Sequence, residues 1–176
     1  MTRLLALLLS ALLALLPLAA QAQVTAAFHS FNGSYFGGRY PHAFVVLDGT
    51  LADGSRVHEN FGYSTDAGAI AALAGTVRGT IQVEKETYIR KTNRHFAVPI
   101  SDDQYRALIA EREAWRDAPG QKRYSLDHRN CIHFVARLAE LVGINAPVPQ
   151  NMVRRPKLWL NYVTRLNPQL GASEIK

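Results

Sequence analysis

The sequence predicts an α+β domain in which an antiparallel sheet is laid down first and its covering helices follow. Two features point there. Before residue 100 the chain is dominated by short β-branched and aromatic runs separated by Gly- and Asp-rich turns. After Ser101 the apolar residues recur at helical spacing instead.

In order, residues 24 to 31 mix apolar and polar side chains as a short strand does, and Asn32-Gly33-Ser34 with Gly37-Gly38 reads as a surface loop. His42-Ala43-Phe44-Val45-Val46-Leu47 reads as a largely buried strand. Asp48-Gly49 and Asp53-Gly54 then turn the chain back into Arg56 to Tyr63, giving a hairpin with a somewhat long connection. Ala67 to Ala74 predicts one or two helical turns, and residues 77–83 and 95–100 predict two further strands. Ser101 caps the next helix with Gln104 three residues on; Tyr105, Leu108, Ile109 and Trp115 form its apolar side, and Pro119-Gly120 stops it. Tyr124 to Leu126 leads into a helix that opens at Cys131, buries Phe134, Val135, Leu138 and Leu141, and stops at Gly143. After a proline-bearing connection over 144–152, Pro156 to Leu166 predicts a last amphipathic helix carrying Trp159, Tyr162 and Val163. That helix is expected to close the core, and its cations and Trp159 would also suit peripheral contact with a membrane surface.

Residues 1 to 22 read as a signal peptide: Arg3 supplies the positive start, Leu4 to Leu16 the apolar segment, and Ala20-Gln21-Ala22 the small-x-small cleavage site. A secreted or periplasmic protein starting at Gln23 is expected. Residues 23 to 176 are enough for a single domain with a real core. The net charge of +6 favours anionic envelope polymers or headgroups. The basic residues are scattered, apart from Arg154, Arg155 and Lys157, and are not interleaved with aromatics, so no nucleic-acid partner is expected.

Cys131 is the only cysteine, so it has no intrachain disulfide partner; it is either a packed thiol or a reactive one. A thiol in a first helical turn lies near unpaired amides and the positive end of the helix dipole, which favours the thiolate. Among six histidines, His42 sits in the hairpin, far away in sequence, as the base of a thiol nucleophile usually does. His133, two residues beyond the cysteine, would point away from the thiol on a helix. Asn130 is expected to cap the helix. The chain has no C-x-x-C pair and no H-E-x-x-H helix, so neither a metal nor another cofactor is expected.

The segment Tyr124-Ser125-Leu126-Asp127-His128-Arg129-Asn130-Cys131-Ile132-His133-Phe134-Val135 resembles the nucleophile motif of the lecithin:retinol acyltransferase-like proteins, circularly permuted relatives of papain and of the NlpC-type cell-wall endopeptidases. The resemblance covers roughly residues 39 to 63 and 124 to 143. It implies a circularly permuted papain-like (NlpC-like) fold with the nucleophile-bearing helix packed on the sheet. It also implies thiol chemistry in which Cys131 attacks a carbonyl, His42 moves the proton, and His58 or Asn60 orients the imidazole. The hairpin is longer than the usual animal version, which leaves His58 and Asn60 open as the third residue. The expectation is a secreted cysteine hydrolase or acyltransferase acting on cell-envelope peptides, with a lipid acyl substrate as the alternative. A catalytically inactive binding or inhibitor module is the reading from another class.

Overall fold

The computed structural model describes residues 23–33, 40–117 and 123–176. The leader, the loop glycines Gly37 and Gly38, and the Pro119-Gly120 stop lie outside the described residues.

A five-stranded antiparallel sheet forms the frame, in the order β5-β3-β2-β1-β6. Its strands are β1 (Val24–Phe31), β2 (His42–Thr50), β3 (Arg56–Ser64), β5 (Thr80–Gln82) and β6 (Asn93–Ile100). β2 runs down the middle, and β1 lies between it and the edge strand β6, pairing Phe28 with Val45 of β2 on one side and with Phe96 of β6 on the other. A register shift after Phe28 lets His95 turn inward, where Nε2 meets the Ser30 hydroxyl at 2.8 Å. β2 and β3 form the hairpin read from the sequence, with Phe44 opposite Gly62 and Asp48 opposite His58.

The alternating stretch over 77–83 is not one strand. It divides at Gly79 into β4 (Val77–Arg78), which pairs with β7 (Arg123–Tyr124), and β5, which joins the main sheet. Any side chain at Gly79 would collide with the Tyr63 hydroxyl and ring, so a glycine is needed where the chain passes over that buried tyrosine.

One face of the sheet carries the helices. α3 (Asp102–Asp117) opens with the reciprocal cap expected of Ser101 and Gln104, at 3.2 and 3.0 Å. α4 (Cys131–Leu141) packs on β2 and β3, and α5 (Pro156–Leu166) packs on β1 and β6. Trp159, Leu160 and Val163 of α5 are fully buried, and the Trp159 indole N–H donates to the Pro147 carbonyl at 3.0 Å. α5 therefore closes the core, and Trp159 is unavailable to a membrane interface. No helix among the described residues is long and apolar enough to cross a membrane.

The opposite face of β1 to β3 is covered in part by residues 82–92, which include the short α2 (Glu86–Ile89) that periodicity did not reveal. α1 (Ala69–Ala74) precedes this crossing. Glu86 meets His58, the Tyr88 ring lies 5.0 Å from Phe31, and the Thr92 hydroxyl lies 2.9 Å from His29 Nδ1. His29 and Phe44, which face this side of the sheet, are accordingly buried.

Three histidines, His29, His42 and His95, are buried within this frame. Burial, with Arg94 close by, holds His29 down at about 4, and burial does the same for His95. Both folded-state values are depressed from 6.5, so between the two values the unfolded chain takes up protons that the folded chain refuses. This contribution to stability is complete above about 6.5 and declines as the pH falls toward 4, on the order of 3 kcal/mol per ring at the low end. Thermal midpoints measured across that window should therefore fall with pH, and fall less steeply in a His29→Gln variant. A flat profile would contradict the assignment.

Candidate functional site

Cys131 is the first residue of α4, and its surroundings begin with Asn130. The Asn130 side-chain oxygen accepts the Ile132 and His133 amides at 2.8 and 3.3 Å, and the His133 ring reaches back to the Asn130 amide at 3.4 Å. This is a capping box in which histidine takes the place of the usual Glu or Gln. The Asn130 side-chain nitrogen, Nδ2, donates to Leu126 O and Val153 O, both at 2.6 Å, so one buried side chain ties together the lead-in turn, the helix start and the 144–155 connection. His133 is therefore a capping residue directed away from the thiol.

The Cys131 thiol lies beneath β2, 3% exposed and within the main apolar core. Its polar neighbours are backbone amides: its own, that of Ile132 and that of Ala43. These favour the thiolate, as the helix terminus led one to expect, but desolvation outweighs them and pushes the thiol up to about 11. The expectation of a lowered thiol pKa is overturned on this point. The sequence placed the cysteine correctly at the helix start but did not reveal that β2 would cover it.

His42 begins β2, and alternation along that strand decides where its ring goes. Ala43, Val45 and Leu47 face α4 and belong to the main core, while Phe44 is buried outside it, its ring 5.3 Å from His29 and 6.0 Å from His42. The His42 ring lies over Gly62 of β3, so close that a Cβ there would collide with it. His42 and Cys131 thus occupy opposite sides of β2, and no hydrogen bond joins them. Nor do the two candidates for the third position reach His42. His58 is exposed, bridging Asp48 at 2.9 Å and Glu86 at 3.1 Å, and this carboxylate pair raises its pKa. Asn60 is buried, but its amide is committed to the Glu84 backbone, donating to the carbonyl at 3.0 Å and accepting the N–H at 2.7 Å. The structure brings His42 and Asn60 to one face, places His58 at the edge of that face, and puts Cys131 on the other.

On the His42 side a cavity of about 360 Å³ opens between β3, β5 and the crossing segment, with Ser64, Asp66, Gln82, Glu84 and Tyr88 among its walls. Sequence reasoning singled out none of these five. The one available signal was the hairpin, which carries His42 and Ser64 to the same end of the strand pair. Among the described residues no three metal-ligating side chains converge.

No family model, curated protein or solved structure matches the chain. The site must be read from its own geometry.

Asn130→Ala removes the cap and leaves the Leu126 and Val153 carbonyls buried without a donor, at a cost of about 2–4 kcal/mol in urea unfolding. Asn130→Asp keeps the acceptor and loses both donations, so it should remain clearly destabilised. Wild-type stability in the aspartate variant would show that the two carbonyl bonds contribute nothing.

Proposed function

We propose that this protein is an exported cell-envelope protein with the permuted papain-like arrangement, acting as a binding or inhibitory module and not through thiol chemistry. The observation that carries the reading is the separation of Cys131 from His42 by β2, with the thiol buried and held protonated well above neutral pH. A thiol nucleophile needs a base within hydrogen-bond reach and an opening to substrate, and among the described residues this thiol has neither.

The architecture is favoured by the order of parts: a β2–β3 hairpin carrying the histidine, further strands, then a cysteine-headed helix packed back on that hairpin. The Tyr124 to Val135 segment supports the same relationship. Export to the periplasm or beyond is supported by the leader at residues 1 to 22. Its partners are accordingly envelope components, with peptides first.

One feature favours a second reading, a cysteine hydrolase or acyltransferase cutting envelope peptide amides or, alternatively, moving lipid acyl groups. Cys131 sits in the first turn of a capped helix with the Ala43 amide as an additional donor at its sulfur, a layout suited to receiving negative charge. That enzyme would require the start of β2 to rearrange and turn His42 toward α4. A lipid groove bordered by Trp159 is not formed, because that indole is fully buried.

Iodoacetamide separates the two readings. The binding module predicts slow Cys131 alkylation at neutral pH, unchanged by His42→Ala and rapid only once the protein is unfolded. Rapid native labelling that is lost in His42→Ala would establish the enzyme.

A further inference from the structure

Three polar side chains of α5, Lys157, Asn161 and Arg165, follow one another at intervals of four and so share one face of the helix. Residues 174–176 run antiparallel along that face. Arg165 Nη1 donates to the Glu174 carboxylate at 2.7 Å, and Lys157 Nζ donates to the Lys176 carbonyl oxygen at 2.6 Å. Between them Asn161, itself 8% exposed, donates to the Ile175 carbonyl at 2.9 Å and accepts its N–H at 3.0 Å. Two of the three helix positions therefore read main chain, which any peptide offers, and only Arg165 reads a side chain, a carboxylate. Glu174 and Lys176 are exposed, so the segment lies on the surface of α5 and can leave it without opening the core. At the Lys157 end this face leads into a cavity of about 360 Å³ walled by Pro41, Arg155, Pro156 and Leu158, which also has Lys157 and Asn161 in its lining. Arg154, at its edge, is paired with Asp127, whereas Arg155 is exposed and has no ion-pair partner among the described residues. No carboxylate lines this cavity, and residues 1–22, 34–39 and 118–122 contain neither Asp nor Glu to supply one. Arg155 and Lys157 thus give it a positive sign.

From this we infer that the Lys157–Asn161–Arg165 face of α5 and the cavity beyond it dock an acidic peptide, and that residues 174–176 occupy the first part of this site as a tethered competitor. An incoming peptide takes the path of the segment it displaces. It sets one acidic side chain against Arg165, its next peptide unit against the donor and acceptor of Asn161, and the following carbonyl against Lys157. Continued past the position of Lys176, it carries a second acidic side chain into the cavity, whose volume suits one residue and whose apolar walls at Pro41, Pro156 and Leu158 enclose the carbon stem. The exposed ion pair at Arg165 contributes little affinity, and the main-chain contacts are shared by every peptide, so selection falls on the two acidic positions. The assignment gives the proposed binding module its ligand class and rests on that reading. The two fail separately, because Cys131 alkylation tests the module and peptide titration tests the face of α5.

Fluorescence polarisation with the labelled peptide Ser-Glu-Ile-Lys-Glu amide decides it, using the full chain and its Ile175→Pro variant. Proline at 175 removes the N–H that Asn161 accepts and frees the tethered segment while leaving the core untouched. Saturable binding to Ile175→Pro is expected, with the wild type weaker by about tenfold or more because its own segment competes at high effective concentration. A probe whose final Glu is replaced by Lys should bind Ile175→Pro several-fold more weakly, reporting the cavity. Adding the exposed substitution Arg165→Glu should weaken the original probe several-fold, and a probe with Arg in place of its first Glu should recover the loss. No saturable binding to Ile175→Pro, equal affinity in the wild type and Ile175→Pro, or binding indifferent to both charge changes would overturn the assignment.

Discussion

The arrangement of this molecule depends on one constraint, the alternation of side chains along β2. The strand is held on both flanks, by β1 through the pairing of Phe28 with Val45 and by β3 through the pairing of Phe44 with Gly62. A one-residue slip would exchange its faces. With the register fixed, Ala43, Val45 and Leu47 enter the core beneath α4, and His42 and Phe44 must point to the other side. Ala43 is small enough for α4 to approach closely, and its amide reaches the Cys131 sulfur. The same contact that locates the thiol at a favourable helix terminus removes it from water, and burial prevails. A cysteine that reads as activated in sequence is thus protonated in the fold.

The loops around this frame are held by buried asparagine side chains as well as by the burial of Leu126, Ile144, Ala146 and Val153. Asn130 joins the start of α4 to the 144–155 connection. Asn60 ties β3 to the crossing segment through both backbone groups of Glu84. Asn167 accepts the Asn145 amide and donates to the Asn145 and Val163 carbonyls, and Asn161 bonds both backbone groups of Ile175 near the end of the chain. An amide side chain suits these positions because it can donate and accept at once, satisfying backbone groups that irregular segments leave unpaired. Each of these residues fixes a segment lacking regular hydrogen bonding of its own, which is how long connections remain ordered around a modest core.

Much of the frame was legible in the sequence. The 3.6-residue spacing of Phe134, Val135, Leu138 and Leu141, with Asn130 before them, identified α4 and its cap, and Ser101 with Gln104 identified the start of α3. The facing of His42 was not legible. In His42-Ala43-Phe44-Val45-Val46-Leu47 both alternating sets are largely apolar, so the period of two has no polar side to orient it. The reason lies in residues 82–92, which cover the second face. Their polar run of Glu84, Lys85 and Glu86 gives no sign of a buried role, and Glu84 is held there by Asn60, a partner 24 residues away. Gly79 was likewise unreadable as a strand break without the buried Tyr63 beneath it. His58 and Asn60 fall on the expected strand face, yet their hydrogen bonds go to partners that only the folded chain supplies.

What results is an α+β arrangement in which Cys131 and His42 lie on different sides of one strand, and a polar cavity lies with the histidine. Following the His42 ring through its titration by NMR in the wild type and in Cys131→Ala tests whether the two groups are separate. Independence of the two groups predicts the same midpoint in both proteins, because the thiol remains neutral across the range and on the far side of β2. A midpoint that drops when the sulfur is removed would reveal a thiolate–imidazolium pair and contradict the account.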